Sequence, residues 1–142
     1  GLPMVQLIVG EKGKGKTKHL LDKVNNEIKE ISGNIVYLDK STKHMYELNN
    51  KVRLIDVSQF LIENASEFVG FVNGIISQDH DLQQMYFDSF LKIACLEGQD
   101  ITPTIEKLKK VSASSGVDFV LSISLSADSI DASLKDDVIV AL

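Results

Sequence analysis

Met4-Val-Gln-Leu-Ile-Val-Gly10-Glu-Lys-Gly-Lys-Gly-Lys-Thr17-Lys-His-Leu-Leu21 is the stretch on which the reading of this chain turns. Met4 to Val9 is a short, nearly continuous apolar run, the pattern of a strand buried on both faces of a parallel sheet. Lys16 to Ile31 is helical by period, because Leu20, Leu21, Val24, Ile28 and Ile31 recur at three- and four-residue spacing. Gly33 lies just past that helix and reads as its stop. Between strand and helix lie glycines at 10, 13 and 15. Glycine lets a backbone turn sharply and aim successive N–H groups at an anion. The start of the next helix adds unpaired N–H groups and the positive end of its dipole.

Outward from this stretch the same alternation continues. Asn34 to Leu38 is a second apolar strand closed by Asp39, and Val52 to Ile55 a third closed by Asp56. The polar stretch from Lys40 to Lys51 reads as a loop with one helical turn near Tyr46. Ser58 is a candidate cap for a helix reaching Ile76, in which Gly70 and Gly74 have the spacing of close helix packing. Met85 to Phe87 is a short strand ending at Asp88. A helix begins near Leu91, another spans Thr104 to Ser115, and Gly116 ends it. Val117 to Leu125 is a strong strand, a short helix follows near Ile130 to Leu134, and Val138 to Leu142 is the last strand. No Asn-Gly or Asp-Gly hairpin signal joins two strands. The expected fold is α/β, a three-layer sandwich around a mainly parallel sheet of five or six strands. One domain is expected over 4–142, with Gly1-Leu2-Pro3 set aside as an expression remnant.

The chain has 142 residues, 44% hydrophobic and 25% charged, which fits a globular domain and excludes general disorder. Cys95 is the single cysteine, so neither a disulfide within the chain nor a cysteine-based zinc site can form. It sits among Ile93, Ala94 and Leu96 and reads as a core thiol. No apolar run is long enough to span a bilayer. The first apolar run is too short, and lacks the basic flank, for a signal peptide, so a cytoplasmic location is expected. The formal net charge is −5. It is uneven, because Lys12, Lys14, Lys16 and Lys18 crowd one turn of an otherwise acidic chain. Such a chain is a poor general nucleic-acid binder but suits one small polyanion.

Gly10 to Thr17 satisfies G-x-x-x-x-G-K-[ST] at each fixed position. The segment resembles the Walker A loop of P-loop nucleoside triphosphatases, and the strand–helix order extends the resemblance over most of the chain. The resemblance implies that Gly10, Glu11, Lys12, Gly13, Lys14, Gly15, Lys16, Thr17 and Lys18 surround a nucleotide. It implies that Lys16 reaches the β- and γ-phosphates and that the Thr17 hydroxyl meets Mg²⁺. It also implies an acidic metal partner at the end of an apolar strand, for which Asp88 fits best. Asp39 and Asp56 also end strands, and the RecA-like arrangement implies a carboxylate base that Asp56, or else Asp39, would supply.

Departures from the subfamilies narrow this. Asn50-Lys51 is followed by Val52-Arg53, not by the GTPase Asn-Lys-x-Asp, and Asp-x-x-Gly is absent, so ATP is expected before GTP. Glu11 stands where partitioning-type ATPases carry lysine, and Ser89 where many additional-strand ATPases carry glutamate. Arg53 is the only arginine. Arginine often stabilises charge in phosphoryl transfer, so slow ATP hydrolysis is expected, with a second copy or a protein partner supplying an arginine. A small-molecule kinase and a nucleotide-binding regulatory module without turnover are the alternatives. His19, His44 and His80 have no zinc-site spacing and read as solvated residues.

Overall fold

In the computed structural model, which describes residues 2–142, six strands form one sheet in the order β3-β2-β4-β5-β1-β6. The strands are β1 (Val5–Val9), β2 (Asn34–Asp39), β3 (Arg53–Asp56), β4 (Leu82–Phe87), β5 (Asp118–Ile123) and β6 (Val138–Ala141). Each neighbouring pair is parallel. The helices are α1 (Lys16–Glu30), α2 (Ala65–Ser77), α3 (Phe90–Ile93) and α4 (Thr102–Ser115). The expected α/β sandwich is therefore the observed one, with six strands and no antiparallel pair among the described residues.

Side-chain alternation divides the core into two layers. Ile8, Ile35, Tyr37, Tyr86 and Val120 pack with Leu20, Leu21, Val24 and Ile28 of α1. Their neighbours Leu7, Val36, Leu38, Met85, Phe87, Phe119 and Leu121 face the other way, toward Phe68 and Val72 of α2 and Ile105 and Leu108 of α4. A sheet covered on both faces explains why its strands read as near-continuous apolar runs. On the α2 side, Phe87 meets Phe68, Phe90 and Phe119 edge to face, with centroids 5.9, 6.2 and 5.2 Å away.

Several local readings change. The chain after β3 makes only a 3-10 turn, Val57–Gln59, and α2 starts at Ala65. Its cap is Asn64, whose side chain accepts from the Glu67 amide at 2.9 Å, and not Ser58. Ser58 instead donates to Asp56. Gly33 does not stop α1, because the cap is Ile31 in extended conformation. Gly33 is needed for another reason: a side chain there would collide with the Asp81 carbonyl and Gln83. Gly70 and Gly74 face open space and not a packed neighbour. Cys95 is half-buried, with φ 59°, and its thiol lies 3.6 Å from the Ile62 carbonyl.

Removing the central ring tests this packing. Phe87→Ala leaves a cavity between β4, α2 and β5, and should lower unfolding free energy by about 3–5 kcal/mol in urea titrations. Leu61→Ala, at a side chain 86% exposed, should stay within about 0.5 kcal/mol of wild type.

Candidate functional site

All strands run the same way, so their carboxyl ends share one edge, where α/β proteins place ligands. Val9, Asp39, Phe87 and Ile123 end their strands there. Asp88 directly follows β4, and its amide donates to the Leu38 carbonyl at 2.8 Å. The ladder thus continues one residue past β4 and sets Asp88 beside Asp39. Ser89 follows at φ 55° and turns the chain out of the sheet into α3.

Between β1 and α1 the chain makes an exposed loop. Gly13 and Gly15 have φ of 82° and 96°, which side-chain-bearing residues avoid. Gly10 is constrained by proximity: an added Cβ would lie 3.0 Å from Leu142 Cβ. The Leu142 amide donates to the Val9 carbonyl at 2.9 Å. Gly15 caps α1 without a side-chain hydrogen bond, and no acidic residue occupies the first turn. The first-turn amides are therefore left for an external acceptor.

Lys16 and Thr17 open α1 and point to the sheet edge. Lys16 is 7% exposed, and its Nζ donates to the Glu11 carbonyl at 3.1 Å. Burial pushes this ammonium below the usual lysine range, and the Asp88 carboxylate opposes that shift. Thr17 Oγ1 donates to Asp88 Oδ1 at 3.1 Å, and the Tyr37 hydroxyl to Asp88 Oδ2 at 2.7 Å. Burial and the Asp88 charge hold the Tyr37 hydroxyl in its neutral form. The Thr17–Asp88 pair offers adjacent oxygen donors, the type of ligand a hard divalent cation takes.

A cleft of about 550 Å³ opens over this edge. Its lining includes Lys12, Gly13, Lys16 and Thr17 from the loop, Lys40 after β2, Asp88, Lys92 of α3, Glu97, and Ser122 and Ser124 around the end of β5. Lys12, Lys16, Lys40 and Lys92 give the cleft its cationic character. Lys40 and Lys92 escaped sequence reading, because neither belongs to a motif; only the sheet and α3 bring them to the loop.

Of the residues singled out in sequence, the fold brings Lys12, Gly13, Lys16, Thr17 and Asp88 to the cleft. Gly10, Gly15 and the Glu11 carbonyl shape the loop behind it. Lys14 is exposed beside it. Lys18 points away and pairs with Asp22 at 3.4 Å. Asp56 ends β3, the edge strand, and does not line the cleft. Its carboxylate is occupied by Ser58 and Gln59, and the Ser58 hydroxyl holds it below the usual carboxylate range. Arg53 lies at the opposite end of β3, where Nη1 meets Asp79 at 2.9 Å.

Asp39 is only 2% exposed. Its Oδ1 accepts from the Lys40 amide at 2.7 Å, while its Oδ2 has no hydrogen-bond partner. Burial and the Asp88 charge raise its carboxyl from 3.8 to about 6. No family model and no curated protein matches this chain. Among the described residues, no helix is long and apolar enough to cross a membrane.

The raised carboxyl has a thermodynamic consequence. A group that holds its proton more tightly when folded opposes folding once ionised. The penalty is full above about pH 6 and fades as pH falls toward the unfolded value of 3.8. Asp39→Asn, in chelator, should therefore stabilise the chain at neutral pH by about 1–2 kcal/mol after solvent screening. Thermal melts should show that gain shrinking from about pH 6 to about pH 4; a gain independent of pH would contradict it.

Proposed function

We propose that this chain is a P-loop nucleotide-binding protein that takes Mg²⁺–ATP in the cleft and hydrolyses it slowly, as a switch or within an assembly. The observation that carries this reading is the meeting of Thr17, from the glycine–lysine loop, with Asp88 at the end of β4. Sequence pattern and tertiary contact thus converge on one pair. The loop amides and the buried Lys16 favour phosphate oxygens over neutral ligands. To reach a phosphate, the Lys16 ammonium exchanges its Glu11 carbonyl partner for an anionic one. Thr17 and Asp88 would hold Mg²⁺, which when bound neutralises phosphate charge. β5 stands between β1 and β4, which favours the additional-strand type over the GTPase type.

The weak point for turnover is also visible. Arg53 is tied to Asp79 at the far edge of the sheet, so the chain brings no arginine to its own cleft. Lysines 12, 40 and 92 offer point charges without a guanidinium's bidentate fork. Asp39 lies beside Asp88, and Asp56 is tied to Ser58 and Gln59 at the sheet edge, but neither carboxylate lines the cleft. Contacts to the ground state therefore outnumber groups that could strengthen in the transition state.

Calorimetry tests the binding site. Lys16→Ala should keep its circular dichroism spectrum and lose Mg²⁺–ATP affinity by about a hundredfold, equivalent to ~3 kcal/mol. Unchanged affinity in the folded variant would remove the assignment.

A product assay tests turnover. Specific activity should be low in dilute protein, and should rise with concentration or with an arginine-bearing partner. A fast, concentration-independent rate from a monomer would refute the need for a partner. Acceptor-dependent ADP would instead make the protein a kinase, and binding without product a regulatory module.

A further inference from the structure

Asp39, Asp88 and His44 come together on the flank of the cleft. Each offers one ligand atom, and these three atoms all lie within 4.8 Å of one another. Asp39 ends β2, Asp88 follows β4, and His44 reaches back from the loop after β2. Both carboxylates are 2% exposed, and neither forms an ion pair among the described residues. Lys16 faces Asp88, and Lys40 and His44 face Asp39, but none of them closes to an ion pair with these two buried, adjacent carboxylates. The Asp39 Oδ2 atom is buried and without any hydrogen-bond partner. His44 is anchored only loosely, with Nδ1 3.4 Å from an exposed Glu47 oxygen.

We propose that Asp39, His44 and Asp88 form a divalent-cation site that fills without nucleotide, for a borderline metal of the Mn²⁺, Fe²⁺, Co²⁺ or Zn²⁺ class. The imidazole sets the preference: Mg²⁺ and Ca²⁺ take oxygen ligands, whereas the borderline ions accept nitrogen with carboxylate. Ligand bonds of about 2.0–2.2 Å require the three atoms to close up from their present spacing. Rotation of the His44 side chain supplies that movement, because its ring makes no strong hydrogen bond, while the backbone of its loop stays tied to Asn25 of α1. The cation satisfies the orphaned Asp39 oxygen, separates the two carboxylate charges and ties the loop after β2 to the end of β4. This site is distinct from the Thr17–Asp88 pair in its nitrogen ligand and in needing no phosphate, although Asp88 is common to both.

The test uses the full chain, stripped of metal by chelator and free of nucleotide. Co²⁺ is titrated in, followed by calorimetry and by its visible absorption. One equivalent should bind, at least tenfold more tightly than Mg²⁺, with a spectrum that reports mixed nitrogen and oxygen coordination. His44→Ala and Asp39→Asn should each weaken Co²⁺ at least tenfold, with folding checked by circular dichroism. His44→Ala should keep wild-type Mg²⁺–ATP affinity, which separates this site from the nucleotide reading. If ATP fails to bind while Co²⁺ behaves as stated, the cation site stands and the nucleotide site falls. Absence of saturable Co²⁺ binding without nucleotide would overturn the proposal. So would a loss smaller than tenfold in folded His44→Ala.

Discussion

Asp88 accepts hydrogen bonds from Thr17 and from Tyr37, and the candidate site depends on that one buried carboxylate. Thr17 belongs to α1 and Tyr37 to β2, while Asp88 leaves the end of β4. Two consecutive elements are thereby joined at one point to a strand end 51 residues beyond Tyr37. A buried carboxylate needs such donors, because an unpaired one is expensive to desolvate. The bonds that satisfy Asp88 also set the distance between the glycine loop and the acidic edge of the sheet.

The architecture makes this meeting possible. A parallel sheet collects its carboxyl ends on one edge, and the alternation of side chains leaves those ends clear of the two cores. Tyr37 and Phe87 show the division. Tyr37 lies on the α1 face with its hydroxyl turned to Asp88, and Phe87 lies on the α2 face within the aromatic cluster. The packing beneath the edge holds the site, while the loop above it remains exposed.

Charge at the edge is arranged unequally. The cleft carries four lysines against Asp88 and Glu97, which favours an anion there. Just beside it, Asp39 and Asp88 form a buried acidic pair that favours a cation. Burial and the Asp88 charge raise the Asp39 carboxyl to about 6, against the opposing charges of His44 and Lys40.

Much of this was readable from the chain. The apolar runs, the helical period of α1 and the lack of hairpin turns determined a parallel α/β sandwich, because these patterns report local geometry and two-sided burial. The Gly10–Thr17 spacing located the glycine turn that joins β1 to α1. Asp88 was legible as the acidic end of an apolar strand. Ser58 and Gly33 were misread because each has more than one local use: Ser58 closes a turn on Asp56, and Gly33 admits the Asp81 carbonyl. His44 carried no motif, and its isolation in sequence said nothing of its distance from Asp88. Strand order was not written in any segment, since it follows from how helices cover both faces. Only the tertiary structure set β2 beside β4 and β3 at the edge, bringing Asp39 to Asp88 and leaving Asp56 outside. The physical reason is that periodicity specifies which face of an element is buried, whereas the neighbour it is buried against is decided by the packing of the whole chain.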